Sequence, residues 1–185
     1  MSIICVDFLR CLLYNEHVRR NYMNTINISN TCFFTGHRSI KSKSKQLLAD
    51  RVHLLCTELI KNYNVTDFIA GGALGFDTLA ELTVLNLKKE YPHIRLHLFL
   101  PCTDQTLRWN TYDKKMWESI RLLADDYTFI TKTTYVDGCM QLRNEAMVDT
   151  ARFGIAYCKR KFGGTASTVE YARQKGRYIN IISDI

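Results

Sequence analysis

No apolar run in this chain approaches the ~20 residues that a membrane-crossing helix needs, and the opening stretch Ser2–Leu13 is broken by Asp7 and Arg10. That stretch also lacks a basic leader, so no signal peptide is expected. Seven cysteines (Cys5, Cys11, Cys32, Cys56, Cys102, Cys139 and Cys158) form no C-x-x-C pair and no cluster with histidine. An odd, dispersed set excludes a disulfide framework and a zinc site, and it fits buried thiols in a reducing cytoplasm. A basic stripe interleaved with aromatics is also missing, so nucleic acid is not expected as a partner. The spacing G-x-G-x-x-G is absent too, which sets aside the ordinary dinucleotide fingerprint.

What is present is a chain of 185 residues, long enough for one domain with a sizeable core. Its 25 Lys and Arg against 18 Asp and Glu give a net charge of +7, compatible with an anionic ligand. Most of these cations are scattered and read as solvated surface.

The chain from residue 31 onward alternates short apolar runs with amphipathic stretches. Thr31–Thr35 reads as a first strand, followed at its end by Gly36, His37 and Arg38. From Ser44 to Tyr63 the residues Leu47, Leu48, Val52, Leu55, Leu59 and Ile60 recur at helical spacing. Val65–Ala70 reads as a second strand running into Gly71, Gly72 and Gly75, with Asp77 and Thr78 in the cap region of a helix that reaches Leu87. Ile94–Leu100 and Tyr127–Ile130 are further strands, with a helix from about Asp113 to Leu123 between them and another from Tyr135 to Asp149 after them. Such alternation implies an α/β, Rossmann-like three-layer fold: a mainly parallel sheet with helices on both faces. Ligands of open α/β sheets bind beyond the C-terminal ends of the strands, which is where Gly36, His37 and Arg38 fall.

The segment Asp149–Ile182 repeats the pattern strand, glycine pair, helix, strand. Gly163 and Gly164 let a bound group approach the backbone, and Thr165, Ser167 and Thr168 supply hydroxyls near the helix start. Free amides and the positive dipole end there suit a phosphate; the other reading is a tight turn whose hydroxyls cap the helix. Trp109, in a polar loop with Arg108 and Tyr112, either stacks on a base or covers the core. Arg143 and Asp149 lie six residues apart on one helix, so they face different sides. Arg143 is therefore expected at the ligand's phosphate or ribose, and Asp149 in support.

Four stretches taken together, Thr35–Arg38, Ala70–Asp77, Arg143–Asp149 and Gly163–Ala172, resemble the YpsA-like branch of the SLOG superfamily. That superfamily includes the Lonely-guy phosphoribohydrolases and the DNA-processing protein DprA. The resemblance covers about Thr31 to Ile182 and implies a nucleotide or nucleotide-derived ligand held by glycine-rich strand-to-helix loops, in a sensor or regulatory role. It leaves residues 1–30 as an extension of no assigned role beside a domain at 31–185. The Lonely-guy pattern carries an Arg on the helix before the penultimate strand, then P-G-G-x-G-T-x-x-E. Arg143, Gly163, Gly164 and Glu170 match it, so Arg143 and Glu170 become the catalytic pair of the alternative function, cleavage of the N-glycosidic bond of a nucleoside 5′-monophosphate. Phe162, Ala166 and Ser167 depart from the pattern, and Ala166 adds a methyl where backbone approach is needed. DprA-like binding of single-stranded DNA ranks last. No cofactor and no metal are implied, and a homodimer is left open.

Overall fold

The computed structural model describes residues 26–185, so most of the expected N-terminal extension lies outside the described residues. Residues 26–30 pack onto the domain: Ile26 is buried, and the Arg152 N–H donates to the Ile28 carbonyl at 3.0 Å.

Among the described residues six strands alternate with five α-helices. In chain order these are β1 (Thr31–Gly36), α1 (Lys45–Tyr63), β2 (Asp67–Ala70), α2 (Phe76–Leu87), β3 (Arg95–Leu100), α3 (Thr111–Leu123), β4 (Asp126–Phe129), α4 (Cys139–Asp149), β5 (Phe153–Tyr157), α5 (Gly164–Gln174) and β6 (Tyr178–Ile182). All five strand pairings are parallel, in the order β4-β3-β2-β1-β5-β6. The chain builds outward from β1 in one direction and returns to lay β5 on its other side. The topological switch point therefore lies between β1 and β5, and there neighbouring loops diverge to open a crevice.

Burial of both sheet faces explains the strand sequences. Cys32 and Phe34 of β1 face a core shared with α1, α2 and α3, while Phe33 faces a second core with Met147 and Val148 of α4 and Ala172 of α5. Continuous apolar runs are what a parallel sheet covered on both sides requires.

The boundaries shift from the expected ones where glycine or asparagine takes a positive φ. α1 stops because Asn64 adopts φ 53° and returns its N–H to the Leu59 carbonyl. α2 begins only at Phe76, because Gly72 (φ 62°) and Gly75 (φ 85°) first turn the chain. The helix expected from Tyr135 starts at Cys139, after Gly138 at φ 84°. Leu47, expected in the buried stripe of α1, is 59% exposed.

Candidate functional site

At the switch point His37 ties three elements together. Its carbonyl accepts the Phe76 N–H at 3.1 Å, and its Nε2 accepts the Lys159 N–H at 2.9 Å. A ring nitrogen that accepts from an amide is unprotonated, so the proton sits on Nδ1. Burial and the charges of Arg160 and Lys159 lower the His37 pKa, which keeps the ring neutral. Beside it, Gly36 has no room for a side chain: an added Cβ would lie 2.4 Å from the Phe76 ring. Arg38 is exposed and forms no ion pair with the described residues, and Arg160 and Lys161 project from the β5–α5 loop.

The β2–α2 turn is closed upon itself. The Gly72 N–H donates to Glu81 Oε1 at 3.0 Å, and the Ala73 N–H donates to Asp77 Oδ2 at 3.3 Å. Gln105 Nε2 donates to the Gly72 carbonyl at 2.8 Å, and Thr78 Oγ1 donates to that of Ala73 at 3.0 Å. Asp77 also pairs with Arg143 Nη1 at 3.3 Å, both side chains being 7% exposed. The Arg143 guanidinium occupies the space where a Gly71 side chain would be: a Cβ there would sit 1.1 Å from Nη1. Burial raises the Asp77 pKa, against the pull of Arg143 and the turn amides. Burial and the Asp77 charge raise Glu81 well above the ordinary carboxylate range, and burial lowers Arg143. One cation and one carboxylate thus neutralise each other, with Glu81 beside them, its pKa raised by burial and by the Asp77 charge.

This arrangement differs from the expectation for Gly71, Gly72, Gly75, Asp77 and Arg143. Carboxylates of α2 fill the amide positions where a ligand phosphate was expected, and Arg143 is a buried partner of Asp77. Gly75 is needed for its positive φ and because a Cβ would lie 2.2 Å from the Arg38 carbonyl oxygen. The sequence carried one overlooked signal: Asp77 and Glu81 are four residues apart and so share one face of α2.

The β5–α5 turn is the opposite case. Gly163, at φ 96° and ψ 175°, occupies the cap position of α5 without any side-chain cap. Gly164 has no positive φ, and a Cβ there would meet nothing within 4 Å. Ser167 Oγ donates to the Gly163 carbonyl at 3.2 Å, and Thr168 Oγ1 to the Gly164 carbonyl at 2.8 Å. Those two hydroxyls, expected at the ligand, are turned into their own helix; Thr165 has no such bond.

Glu170 is exposed, with Arg173 at 3.9 Å and Gln174 at 3.3 Å as its partners, both on α5. The structure does not bring it to Arg143. Asp149, at the end of α4, accepts from the Tyr171 hydroxyl at 3.0 Å and pairs with Lys175 at 3.1 Å, joining α4 to α5. Trp109 is half-buried in the β3–α3 loop. Trp117, not singled out from sequence, instead approaches the Gly72 turn, its Nε1 3.1 Å from where a Cβ would be.

Among the described residues no helix is long and apolar enough to cross a membrane. The described cysteines are all free, four of them buried.

The comparisons with known proteins agree with this architecture. YoqJ, an SPbeta prophage-derived protein of Bacillus subtilis (strain 168), is 31% identical over 147 residues, 73% of this chain and 85% of YoqJ. A UPF0398 protein of Halalkalibacterium halodurans is 32% identical over 111 residues, 58% of each chain. Among solved structures, DNA processing protein A from Helicobacter pylori, described for its single-stranded DNA binding mode, superposes with a TM-score of 0.61 at 17% identity, over 85% of this chain and 67% of that one. DprA from Streptococcus pneumoniae gives 0.64 at 16%, over 84% of this chain and 50% of that one. At such identities the likeness shows the fold. The YspA SLOG family model matches residues 32–178, and the chain belongs to this YpsA family.

Proposed function

We propose that the protein binds a nucleotide or nucleotide-derived ligand at the C-terminal edge of its sheet, with a phosphate on the first-turn amides of α5. One observation carries this reading. Every other glycine of the chain has either a positive φ or a neighbour that a Cβ would strike; Gly164 has neither, so the fold itself gives no reason for glycine there. A ligand that needs the backbone bare supplies one. Gly163 and Thr165 flank that position, Arg38, exposed beyond the end of β1, is the proposed cationic group, and Trp109 remains the proposed base-stacking residue. A regulatory or sensor role is consistent with a site that has phosphate-binding groups and no assembled catalytic pair.

A thermal-shift screen over nucleoside mono- and diphosphates, ADP-ribose, NAD and cyclic nucleotides tests the proposal. At a hundredfold excess over Kd a ligand stabilises by about 2.7 kcal/mol, or roughly 5–11 °C for a chain of this size. No shift with any of them, in a folded sample, overturns it. Release of free base from a monophosphate would favour the phosphoribohydrolase alternative. Salt-sensitive affinity for single-stranded DNA without any mononucleotide shift would favour a DprA-like role.

A further inference from the structure

The excess positive charge of the chain gathers at one end of the sheet. Arg38, Lys41, Lys43 and Lys45 lie between the end of β1 and the start of α1, and Lys159, Arg160 and Lys161 follow β5; all are exposed. The other 18 Lys and Arg match the 18 Asp and Glu in number, so these seven correspond to the whole excess of +7. No Asp or Glu occurs from residue 36 to 49 or from 150 to 169. Among the described residues none of the seven forms an ion pair.

Distant in sequence, the two groups meet in the fold. Both loops leave the C-terminal ends of neighbouring strands, and the Lys159 N–H donates to His37 Nε2 at 2.9 Å. Arg38 follows His37 directly, and the Arg160 charge reaches the His37 ring strongly enough to help lower its pKa. Gly163, the cap of α5, stands three residues beyond Arg160, no more than ~10 Å of extended chain. The cations therefore border the turn whose amides are proposed to hold a phosphate.

Like charges crowded in this way repel one another until an anion joins them. A helix N-terminus adds only about half an elementary charge, and a single phosphate brings about two negative charges. Seven cations around it call for more. They fill two loops at one crevice rather than a track interleaved with stacking aromatics, which suits a compact polyanion over a polymer. Lys159 Nζ is already turned to the Ile185 carbonyl, which leaves the arginines as the fork-shaped donors.

We propose, on the basis of the nucleotide reading above, that the ligand carries a chain of two or more phosphates, the first on the α5 amides and the next between Arg160 and Arg38, whose guanidinium groups match phosphate oxygens.

Isothermal titration of the full chain with orthophosphate, pyrophosphate and tripolyphosphate, and with AMP, ADP and ATP, at about 50 mM and about 500 mM salt, tests this. In each series affinity is expected to rise at least about tenfold from one phosphate to three at low salt and to lose most of that gain at high salt. Arg160→Gln is expected to remove the gain while the free protein melts as wild type does, because the residue is exposed. Lys89→Gln deletes the same charge at an exposed place beyond the end of α2 and leaves the gain intact. Affinity indifferent to the number of phosphates, or equal losses in the two variants, overturns the inference; AMP, ADP and ATP binding alike would still leave the nucleotide reading standing. A gain in the inorganic series to which the nucleoside adds nothing keeps the polyphosphate site and overturns the nucleotide reading instead. A thymidine oligonucleotide that binds at least about a hundredfold tighter than ATP at low salt assigns the cations to nucleic acid and overturns the proposal.

Discussion

Gly163 and Gly164 stand side by side, and replacing each by alanine separates what the fold needs from what a ligand needs. At Gly164 the new methyl meets nothing within 4 Å, and the backbone there is not in the left-handed region. Alanine should then be tolerated, and it narrows the unfolded ensemble, a gain of about 0.4–1 kcal/mol. For a chain of this length that corresponds to a rise in Tm of roughly 1–4 °C. At Gly163, φ 96° with ψ 175° is a conformation open essentially to glycine alone, and forcing alanine into it costs about 1–3 kcal/mol. Adjacent substitutions of the same size thus move Tm in opposite directions.

Ligand binding breaks the symmetry the other way. Every Cα–Cβ bond of an α-helix tilts toward the N-terminus, so the Gly164→Ala methyl projects beyond the helix end, into the space where a phosphate approaches the amides. A loss of even one close hydrogen bond there should weaken affinity about tenfold, or ~1.4 kcal/mol. The assay is isothermal titration with whichever nucleotide gives the largest thermal shift, alongside a melt of each free variant. A Gly164→Ala protein that melts slightly higher and binds as tightly as wild type refutes the argument that a ligand keeps this position bare. One that melts much lower refutes the premise that the space beside it is empty.

Two further outcomes follow from the buried cluster of α2 and α4. Arg143→Ala removes the one cation beside Asp77, and breaking a buried pair costs about 3–5 kcal/mol. Tm should fall by roughly 6–20 °C on a scale of 2–4 °C per kcal/mol, where a surface ion pair would leave the melt unchanged. Burial raises the Glu81 pKa in the fold above the ~4.3 at which it ionises in the unfolded chain. Its contribution to stability is complete below that unfolded value and is lost as pH rises through the raised folded one. Glu81→Gln keeps the acceptor for the Gly72 N–H and should raise Tm at neutral pH but not near pH ~4; an equal change at both pH values would show that Glu81 is ionised in the fold.

The alternation of strands and helices was legible because both sheet faces are covered, which forces continuous apolar runs in β1, β3 and β5 and apolar stripes on the helices. Periodicity misread Leu47 for the same reason that it found Leu48, Val52 and Leu55: an exposed leucine at helical spacing looks like a core one. What decides between them is the neighbouring surface, which spacing alone does not carry. The two strand–glycine–helix units pose the same difficulty at the site. Gly71-Gly72 and Gly163-Gly164 are alike in sequence, each following a strand and opening a helix. One is filled by carboxylates from four and nine residues downstream, held by an arginine 66 positions away from Asp77. The other has no acidic residue in its first turn and no side-chain cap. The difference lies in which anion meets the amides. A chain that supplies its own anion makes a rigid support of the turn, and one that withholds it leaves the amides to a partner from solution. Had α5 carried a carboxylate at the position corresponding to Asp77, two residues after the cap, this turn too would close on itself. Thr165 stands at that position. Thr165→Asp should therefore close the turn, raising Tm through the capping bond by about 1 kcal/mol while abolishing the thermal shift with nucleotides. If the shift persists with an acid at that place, the α5 amides are not where the phosphate sits.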